Sequence, residues 1–142
     1  MNKGKVFIDS DVILDVLMNR EPHVHFSQQF VALVEANVFE GFTSALILAN
    51  CHYIISNQMN KTVADVCIQQ LRSFLKVLPF TDKEIGESLS SGFKDFEAGV
   101  QYYIAVNNRI NTILTRNTAD YRMAAGVKII SPKEFILEMD ID

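Results

Sequence analysis

Short apolar runs with strand character alternate along this chain with longer segments in which apolar residues recur at helical spacing. The runs cover residues 5–9, 42–43, 77–80, 112–115 and 128–130. Alternation at this spacing is typical of a parallel sheet whose two faces are covered by helices. The sequence therefore predicts an α/β fold, a three-layer α/β/α sandwich around a central, mainly parallel five-stranded sheet.

The length and composition indicate one globular domain without an extended basic surface. The chain has 142 residues, 49% hydrophobic and 21% charged, and its net charge is −4. It contains no internal repeat or linker, so a single domain over residues 1–142 is predicted. Binding duplex DNA through many phosphates requires a broad basic surface, which this composition excludes. Any contact with nucleic acid must therefore be local or mediated by cations.

A cytoplasmic location without a membrane segment is predicted. The N-terminus lacks the long apolar core of a signal peptide. The most apolar stretch, 45–55, is interrupted by Asn50 and His52 and is too short to span a bilayer. Cys51 and Cys67 belong to no C-x-x-C motif and fit buried thiols in a reducing compartment.

Capping residues predict where the helices begin. Ser10 is expected to cap the first helix. Ser44 is expected to cap a nearly all-apolar helix ending near residue 56, which should be buried on most sides. Weaker helical patterns cover residues 81–93 and 117–123.

Polar side chains gather where a parallel sheet would present its carboxyl edge, beyond which ligands of such sheets bind. They follow the first and fourth predicted strands or begin the helix that leads to the fourth. These residues are Asp9, Asp11, Asp95, Glu97, Asn117 and Asp120. Clustered carboxylates repel one another unless a proton or cation lies between them. Oxygen ligands suit Mg²⁺ or Mn²⁺, which can activate a water molecule beside a phosphate.

Each of these side chains also has a structural explanation. Acids in the first turn of a helix interact favourably with its N-terminus, which accounts for Asp11, Asp95 and Glu97. Asn117 and Asp120 have the spacing of a capping pair.

Asp9 is the exception. It ends a buried strand near the centre of the predicted sheet. An aspartate there is costly unless it is paired or coordinated. Its position therefore favours a functional role.

Three segments carry a resemblance to a known family. They are VFIDSDVILDVLMNREP, KDFEAGVQYYIAV, and TILTRNTADYR followed by IISPKEF. Together with the order of elements, they resemble the PIN domain, a metal-dependent ribonuclease fold found in bacterial toxin–antitoxin toxins and RNA-processing factors. The similarity covers nearly the whole chain.

The resemblance implies four acidic positions, two of which this chain fills. The first falls on Asp9, with Asp11 where asparagine is common in the family. The fourth falls on Asn117 or Asp120. These residues are therefore expected to hold or surround the metal.

The other two implied acids are absent at their expected places. The second falls on Asn50 and the third on Ala98. Glu97 is one residue away from Ala98, which turns its side chain by roughly 100° on a helix. Asp95 lies three residues before Ala98 on nearly the same face and is the better geometric substitute.

The predicted function is a Mg²⁺- or Mn²⁺-dependent endoribonuclease that cleaves single-stranded RNA by in-line attack of activated water. The expected catalytic and metal-binding residues are Asp9, Asp95, Glu97 and Asp120, with Asp11, Asn50 and Asn117 binding substrate or supporting the site. The resemblance further implies a small antitoxin-like protein partner and a homodimer.

Two other hypotheses belong to different classes. The missing acids at Asn50 and Ala98 favour a non-catalytic module that binds RNA or a protein. The stretch Asp9-Ser10-Asp11-Val12 also fits the D-x-D-x-[TV] motif of haloacid-dehalogenase-type phosphatases. The later acidic pair and the cap domain of those enzymes are missing, and no G-x-S-x-G, P-loop or G-x-G-x-x-G motif is present.

Overall fold

A five-stranded parallel sheet forms the centre of the protein. The computed structural model describes residues 4–140; residues 1–3 and 141–142, which the predicted domain includes, lie outside the described residues. The strands are β1 (Gly4–Ile8), β2 (Phe39–Ser44), β3 (Lys76–Leu78), β4 (Thr112–Leu114) and β5 (Lys128–Ile130). Their order is β3-β2-β1-β4-β5, and every neighbouring pair is parallel. The predicted parallel sheet is confirmed.

Helices cover both faces of the sheet. They are α1 (Ser10–Leu17), α2 (Val24–Glu35), α3 (Ala45–Gln58), α4 (Lys61–Phe74), α5 (Asp82–Leu89), α6 (Phe96–Asn107) and α7 (Pro132–Asp140), with a 3₁₀ helix at Thr118–Tyr121. One group of contacting helices consists of α1, α2, α3, α4 and α7, and another consists of α5, α6 and the 3₁₀ helix. Right-handed crossovers between parallel strands place these groups on opposite faces. The predicted three layers are confirmed.

The core lies between the central strands and their covering helices. Phe7 and Ile8 of β1 and Ile113 and Leu114 of β4 are fully buried. Such continuous apolar runs are characteristic of strands covered on both faces. Within residues 4–140, no helix is long and apolar enough to cross a membrane.

Three predicted helix assignments are corrected by the backbone. Asp9, not Ser10, is the N-cap of α1: its extended backbone precedes the helix, and its side chain accepts a hydrogen bond from the Ser10 amide. The helix predicted over 81–93 ends at Leu89. The helix predicted over 117–123 is a single 3₁₀ turn.

Helix α3 begins where predicted but is less buried than predicted. Ser44 accepts a hydrogen bond from the Ile47 amide and caps the helix. The expectation of burial on most sides was wrong, because Ala45, Ala49 and Tyr53 form an exposed row. Tyr53 alone is 68% exposed. The covered faces of α3 include those that pack on α1, α4 and β2.

A close approach between α5 and α6 fixes the start of α6. A Cβ at Gly99 would lie 2.1 Å from the Ser88 hydroxyl oxygen, so a side chain there would force the helices apart. Ser88 Oγ donates to the Phe96 carbonyl at 2.9 Å. At the sheet, Ser44 Oγ donates to Gln101 Oε1 at 2.8 Å. These contacts hold the first turn of α6 against the edge of the sheet.

Candidate acidic site at the carboxyl edge of the sheet

The candidate site lies where the strand order of the sheet reverses. The chain runs from β1 outward to β2 and β3, then returns to place β4 on the other side of β1. The carboxyl ends of β1 and β4 therefore flank a topological switch point, the usual ligand position in open parallel sheets. Asp9 and Asp11 follow β1, and Thr115 and Arg116 follow β4.

Asp9 is held by three neutral hydrogen-bond donors. Its Oδ1 accepts from the Ser10 amide at 2.8 Å. Its Oδ2 accepts from Thr115 Oγ1 at 3.0 Å and from the Tyr121 hydroxyl at 2.9 Å. Burial, followed by the nearby charge of Asp11, raises the pKa of Asp9 to about 6 despite these bonds. The carboxylate is thus fixed in position, while its charge has no cationic side chain among its contacts.

Asp11 is a buried carboxylate beside the half-buried Asp9. Its Oδ1 accepts from the Val12 amide and its Oδ2 from the Arg116 amide, both at 2.8 Å. Thr115 Oγ1 lies 3.4 and 3.5 Å from the two Asp11 oxygens and also contacts Asp9. Burial raises the pKa of Asp11, and the contacts with Arg116 oppose that rise. Asp9 and Asp11 therefore form an acidic pair around one hydroxyl group.

Tyr121 donates a hydrogen bond that orients Asp9 of this acidic pair. The residue is buried, and burial together with the charge of Asp9 raises its pKa well above the usual value. The phenol therefore stays protonated and donates to Asp9. The charge of Asp95 contributes to the same rise, which brings the start of α6 into the electrostatic surroundings of the pair. Sequence reasoning missed Tyr121; its position as the aromatic residue of the turn after β4 was the available signal.

A third carboxylate, Asp15, was also missed and is compensated differently. It is fully buried on α1. Arg116 donates to it through Nε at 2.6 Å and Nη2 at 3.1 Å, and Arg20 Nε lies 3.2 Å from Asp15 Oδ1. The hydrogen bonds to Asp15 raise the pKa of Arg116. The signal in the sequence was Asp15 four residues after Asp11 on an apolar helix, with an arginine directly after β4.

Asp95 and Asp120 line a separate small cavity whose lining does not include Asp9 or Asp11. Asp95 caps α6 and accepts from the Ala98 amide at 2.8 Å. With Asp120 it borders a cavity of about 230 Å³. The predicted capping by Asn117 is not formed: its side chain makes no capping bond, and only its carbonyl accepts from the Asp120 amide at 3.0 Å. A 3₁₀ turn leaves that carbonyl as the partner.

Glu97 and Asn50 contact each other across two helices. Asn50 Nδ2 donates to Glu97 Oε1 at 3.3 Å. Glu97 is exposed, whereas its neighbour Ala98 is buried. The one-residue offset thus turns Glu97 away from the buried position of Ala98 and toward α3.

Comparison with known proteins agrees with this geometry. The sequence profile of the PIN domain matches residues 5–119. The chain belongs to the PIN domain family. It is 27% identical over 140 residues to Ribonuclease VapC1 of Aquifex aeolicus, covering 95% of each chain. It also resembles VapBC2 from Rickettsia felis, solved with a promoter DNA fragment, with a TM-score of 0.67, 11% identity and coverage of 89% of this chain and 98% of the other. A toxin–antitoxin complex from Klebsiella pneumoniae gives a TM-score of 0.65 at 17% identity, covering 89% and 97%.

The donor atoms of this PIN domain fit a divalent ion held by two carboxylates. Among residues 4–140, no three His, Cys, Asp or Glu side chains lie together as a group that could hold a metal ion. Asp9 and Asp11 are nevertheless close together, with Asp11 buried and Asp9 half-buried. Mg²⁺ typically uses one or two carboxylates, with water and substrate phosphates filling its other positions. The pair suits such a hard cation, and the metal-binding roles of Asp95, Glu97 and Asp120 stay predictions.

Proposed function

We propose that this PIN domain is a ribonuclease that hydrolyses phosphodiester bonds of single-stranded RNA, using Mg²⁺ or Mn²⁺ held by Asp9 and Asp11. The observation that carries the proposal is the acidic pair itself, two neighbouring carboxylates, one buried and one half-buried, with no cationic side chain in contact with Asp9. Such a pair is neutralised best by an external cation. The ribonuclease name of the Aquifex aeolicus relative supports the same reaction.

The side chains around the acidic pair would have distinct roles. The hydroxyl groups of Thr115 and Tyr121 orient Asp9, and the Arg116 amide orients Asp11. When bound, a divalent cation supplies charge neutralisation and polarisation of a phosphoryl oxygen. Because these donors are fixed before substrate arrives, little reorganisation is needed during the reaction.

The remaining predicted residues are proposed as contributors of smaller weight. Asp95 and Asp120 line the separate small cavity and approach the ion or the substrate from α6 and the 3₁₀ helix. Glu97 contacts Asn50 and acts from the edge of the site. Asn117, at the turn after β4, is proposed to contact substrate.

Replacing Asp9 tests the proposal directly. Asp9→Asn removes the charge while keeping the size of the side chain, and RNA cleavage should fall at least about 100-fold, the order expected for loss of a central electrostatic group. Cleavage of a fluorescently quenched RNA oligonucleotide in Mn²⁺ measures the rate. Asp82→Asn, an exposed first-turn acid of α5, is the matched control and should cleave as the wild type does. Full activity of Asp9→Asn, or of the wild type in excess chelator, would reject the proposal.

A protein partner is proposed with this activity. The structural resemblance to a toxin–antitoxin complex supports a small antitoxin-like protein that binds this chain in the cytoplasm. A homodimer of the chain itself is proposed from the family resemblance alone. Light scattering after size exclusion tests the dimer, which would have twice the 16.1 kDa mass of the chain. A mass of one chain at all concentrations would remove the homodimer from the proposal.

A second candidate is a non-catalytic module that binds RNA or a protein. It is favoured by Asn50 and Ala98 at positions where the family resemblance implies acids, and by the two-carboxylate limit of the site. Titration calorimetry with Mn²⁺ separates the candidates, because a non-catalytic module predicts no saturable heat at millimolar ion. If the site has lost acids, the double variant Asn50→Glu and Ala98→Asp should raise cleavage. The phosphatase hypothesis receives no support, since the family shown is the PIN domain.

A further inference from the structure

A cavity outside the acidic pair is lined by basic and aromatic side chains. Its volume is about 460 Å³, large enough for one nucleotide. The loop before α2, the turn after β4 and the start of α7 surround it. The lining residues are Pro22, His23, Phe26, Arg116, Ser131, Pro132 and Lys133. The cavity is formed at the carboxyl ends of β4 and β5, the same edge of the sheet that carries Asp9.

The charge of this cavity is opposite to that of the whole chain. Arg116 and Lys133 line it, and within the described part of the chain no carboxylate does. Lys133 forms no ion pair with any residue in 4–140, whereas Lys61 and Lys128 each contact a carboxylate. In a chain with a net charge of −4, such a local concentration of cations provides a place for an anion.

Arg116 is prepared for an anion by its other contacts. Nε and Nη2 donate to Asp15, and Nη1 has no partner within residues 4–140. The bonds to Asp15 fix the plane of the guanidinium, so little side-chain freedom is lost when Nη1 binds a further acceptor. The Arg116 amide meanwhile donates to Asp11. One residue therefore connects the cavity to the acidic pair.

Phe26 adds a surface for a base. Its ring is half-buried and borders the cavity. It takes no part in the ring clusters around Phe30 or Phe93. An aromatic face beside basic groups is the arrangement by which proteins bind single-stranded nucleic acid, with stacking on the base and charge on the phosphate.

We propose that this cavity is a nucleotide subsite for the RNA strand, in which Arg116 and Lys133 bind a phosphate next to the bond that is cleaved and Phe26 stacks on the attached base. This proposal rests on the RNA substrate proposed above. It explains how an acidic chain can bind RNA, because the affinity comes from one local subsite and not from a broad basic surface.

Binding of RNA without turnover tests the subsite. Fluorescence anisotropy of a labelled twelve-residue oligouridylate, measured in chelator at several salt concentrations, gives the affinity and its salt dependence. Lys133→Ala should weaken binding about three- to tenfold and reduce the salt slope by about 0.7, the value for one contact to a single-stranded phosphate. Phe26→Leu should weaken binding about fivefold or more and leave the salt slope unchanged, because stacking involves no charge.

A matched control separates this subsite from general electrostatics. Lys83→Ala removes the same charge from α5, which does not line the cavity, and should bind like the wild type. Uridine 5′-monophosphate should compete with the oligonucleotide for binding to the wild type. For Lys133→Ala its competition should be weaker by about the same factor as the loss of oligonucleotide binding. Binding by Lys133→Ala and Phe26→Leu equal to that of Lys83→Ala would overturn the subsite.

Failure of the subsite and failure of the ribonuclease proposal give different results. If the wild type cleaves RNA but the cavity variants bind like the control, only the subsite is rejected. If the cavity variants lose binding but the wild type never cleaves RNA, the cavity stands as an RNA-binding subsite and the ribonuclease proposal falls. If the wild type binds no RNA at all, the subsite is rejected.

Discussion

Carboxylates at the N-cap of α1 and within this helix form two neighbouring groups, and only one of these groups is compensated by cationic side chains. Asp15 is fully buried and contacts the guanidinium groups of Arg116 and Arg20. Asp9 and Asp11, which precede it by six and four residues, are bound by hydroxyl and amide donors alone. The compensated acid is a structural ion pair. The uncompensated pair has no such partner, and under the proposed function a divalent cation from outside the chain would neutralise it.

Arg116 separates the two groups. Its backbone N–H donates to Asp11, while its side chain turns to Asp15. A guanidinium placed on the acidic pair would neutralise it and block a metal ion. By directing that guanidinium to Asp15, the chain leaves the pair without a cationic side chain, and the proposed subsite would use the same guanidinium to bind a phosphate.

The largest expected effect on stability comes from removing the compensated acid. Asp15→Ala leaves Arg116 and Arg20 without their carboxylate, and breaking a buried ion pair on one side costs about 3–5 kcal/mol. Because both arginines are partly exposed, we expect a loss of about 3 kcal/mol in the free energy of unfolding by urea. Asp82→Ala, at an exposed position of α5, should change it by less than about 0.5 kcal/mol. A loss below about 1 kcal/mol for Asp15→Ala would show that the ion pair contributes little.

The uncompensated pair should show itself as a pH dependence of stability. The pKa of Asp9 is raised from 3.8 to about 6, so the folded state binds its proton more tightly than the unfolded state does. The destabilisation is absent below about pH 4, grows through the window from 4 to 6, and is complete above about 6. A shift of this size corresponds to at most about 3 kcal/mol, and we expect about 2 kcal/mol because the residue is not fully shielded from water.

The measurement is the difference in unfolding free energy between Asp9→Asn and the wild type, in chelator, from pH 4 to 7.5. It should increase in favour of Asp9→Asn as pH rises, whatever constant the lost hydrogen bonds add. The control is Asp65→Asn, because Lys61 and then His52 lower the pKa of that exposed carboxylate. The contribution of Asp65 to the free energy of unfolding has the opposite sign. It stabilises the folded state above the ordinary pKa of aspartate and is lost as the pH falls. A difference for Asp9→Asn that stays flat with pH would contradict an uncompensated pair.

The sheet was predictable from the sequence because each strand is a compact apolar run that must be buried on both faces. Asp9 was predictable for the same reason, as a charge at the end of such a run. The side chains that contact Asp9 and its neighbours could not be predicted from the sequence. Thr115, Tyr121 and Arg116 come more than 100 residues later in the chain, and only the pairing of β1 with β4 brings them to Asp9 and its neighbours.

Predictions of helix capping and burial from local sequence also failed where a tertiary contact determines the structure. Ser10 has good capping chemistry, yet Asp9 takes the N-cap because its side chain is held at the end of β1. The exposed row on α3 looked like core because apolar composition does not show which face a neighbouring helix covers. The separation of Glu97 from the acidic pair likewise depends on how α6 packs against α5 and α3.

The smallest expected effect is at the edge of the site. Glu97 is exposed and shares one 3.3 Å hydrogen bond with Asn50, so Glu97→Gln should change the free energy of unfolding by less than about 0.5 kcal/mol. Its cleavage rate should fall no more than about fivefold, against about 100-fold for Asp9→Asn, because an exposed charge is screened by water. Parallel rate measurements on Glu97→Gln and Asp120→Asn rank the predicted acids. A loss of cleavage rate for Glu97→Gln as large as that for Asp9→Asn would place α6 in the metal site itself. The site would then consist of three carboxylates, and the contrast between the acidic pair and its surroundings would no longer hold.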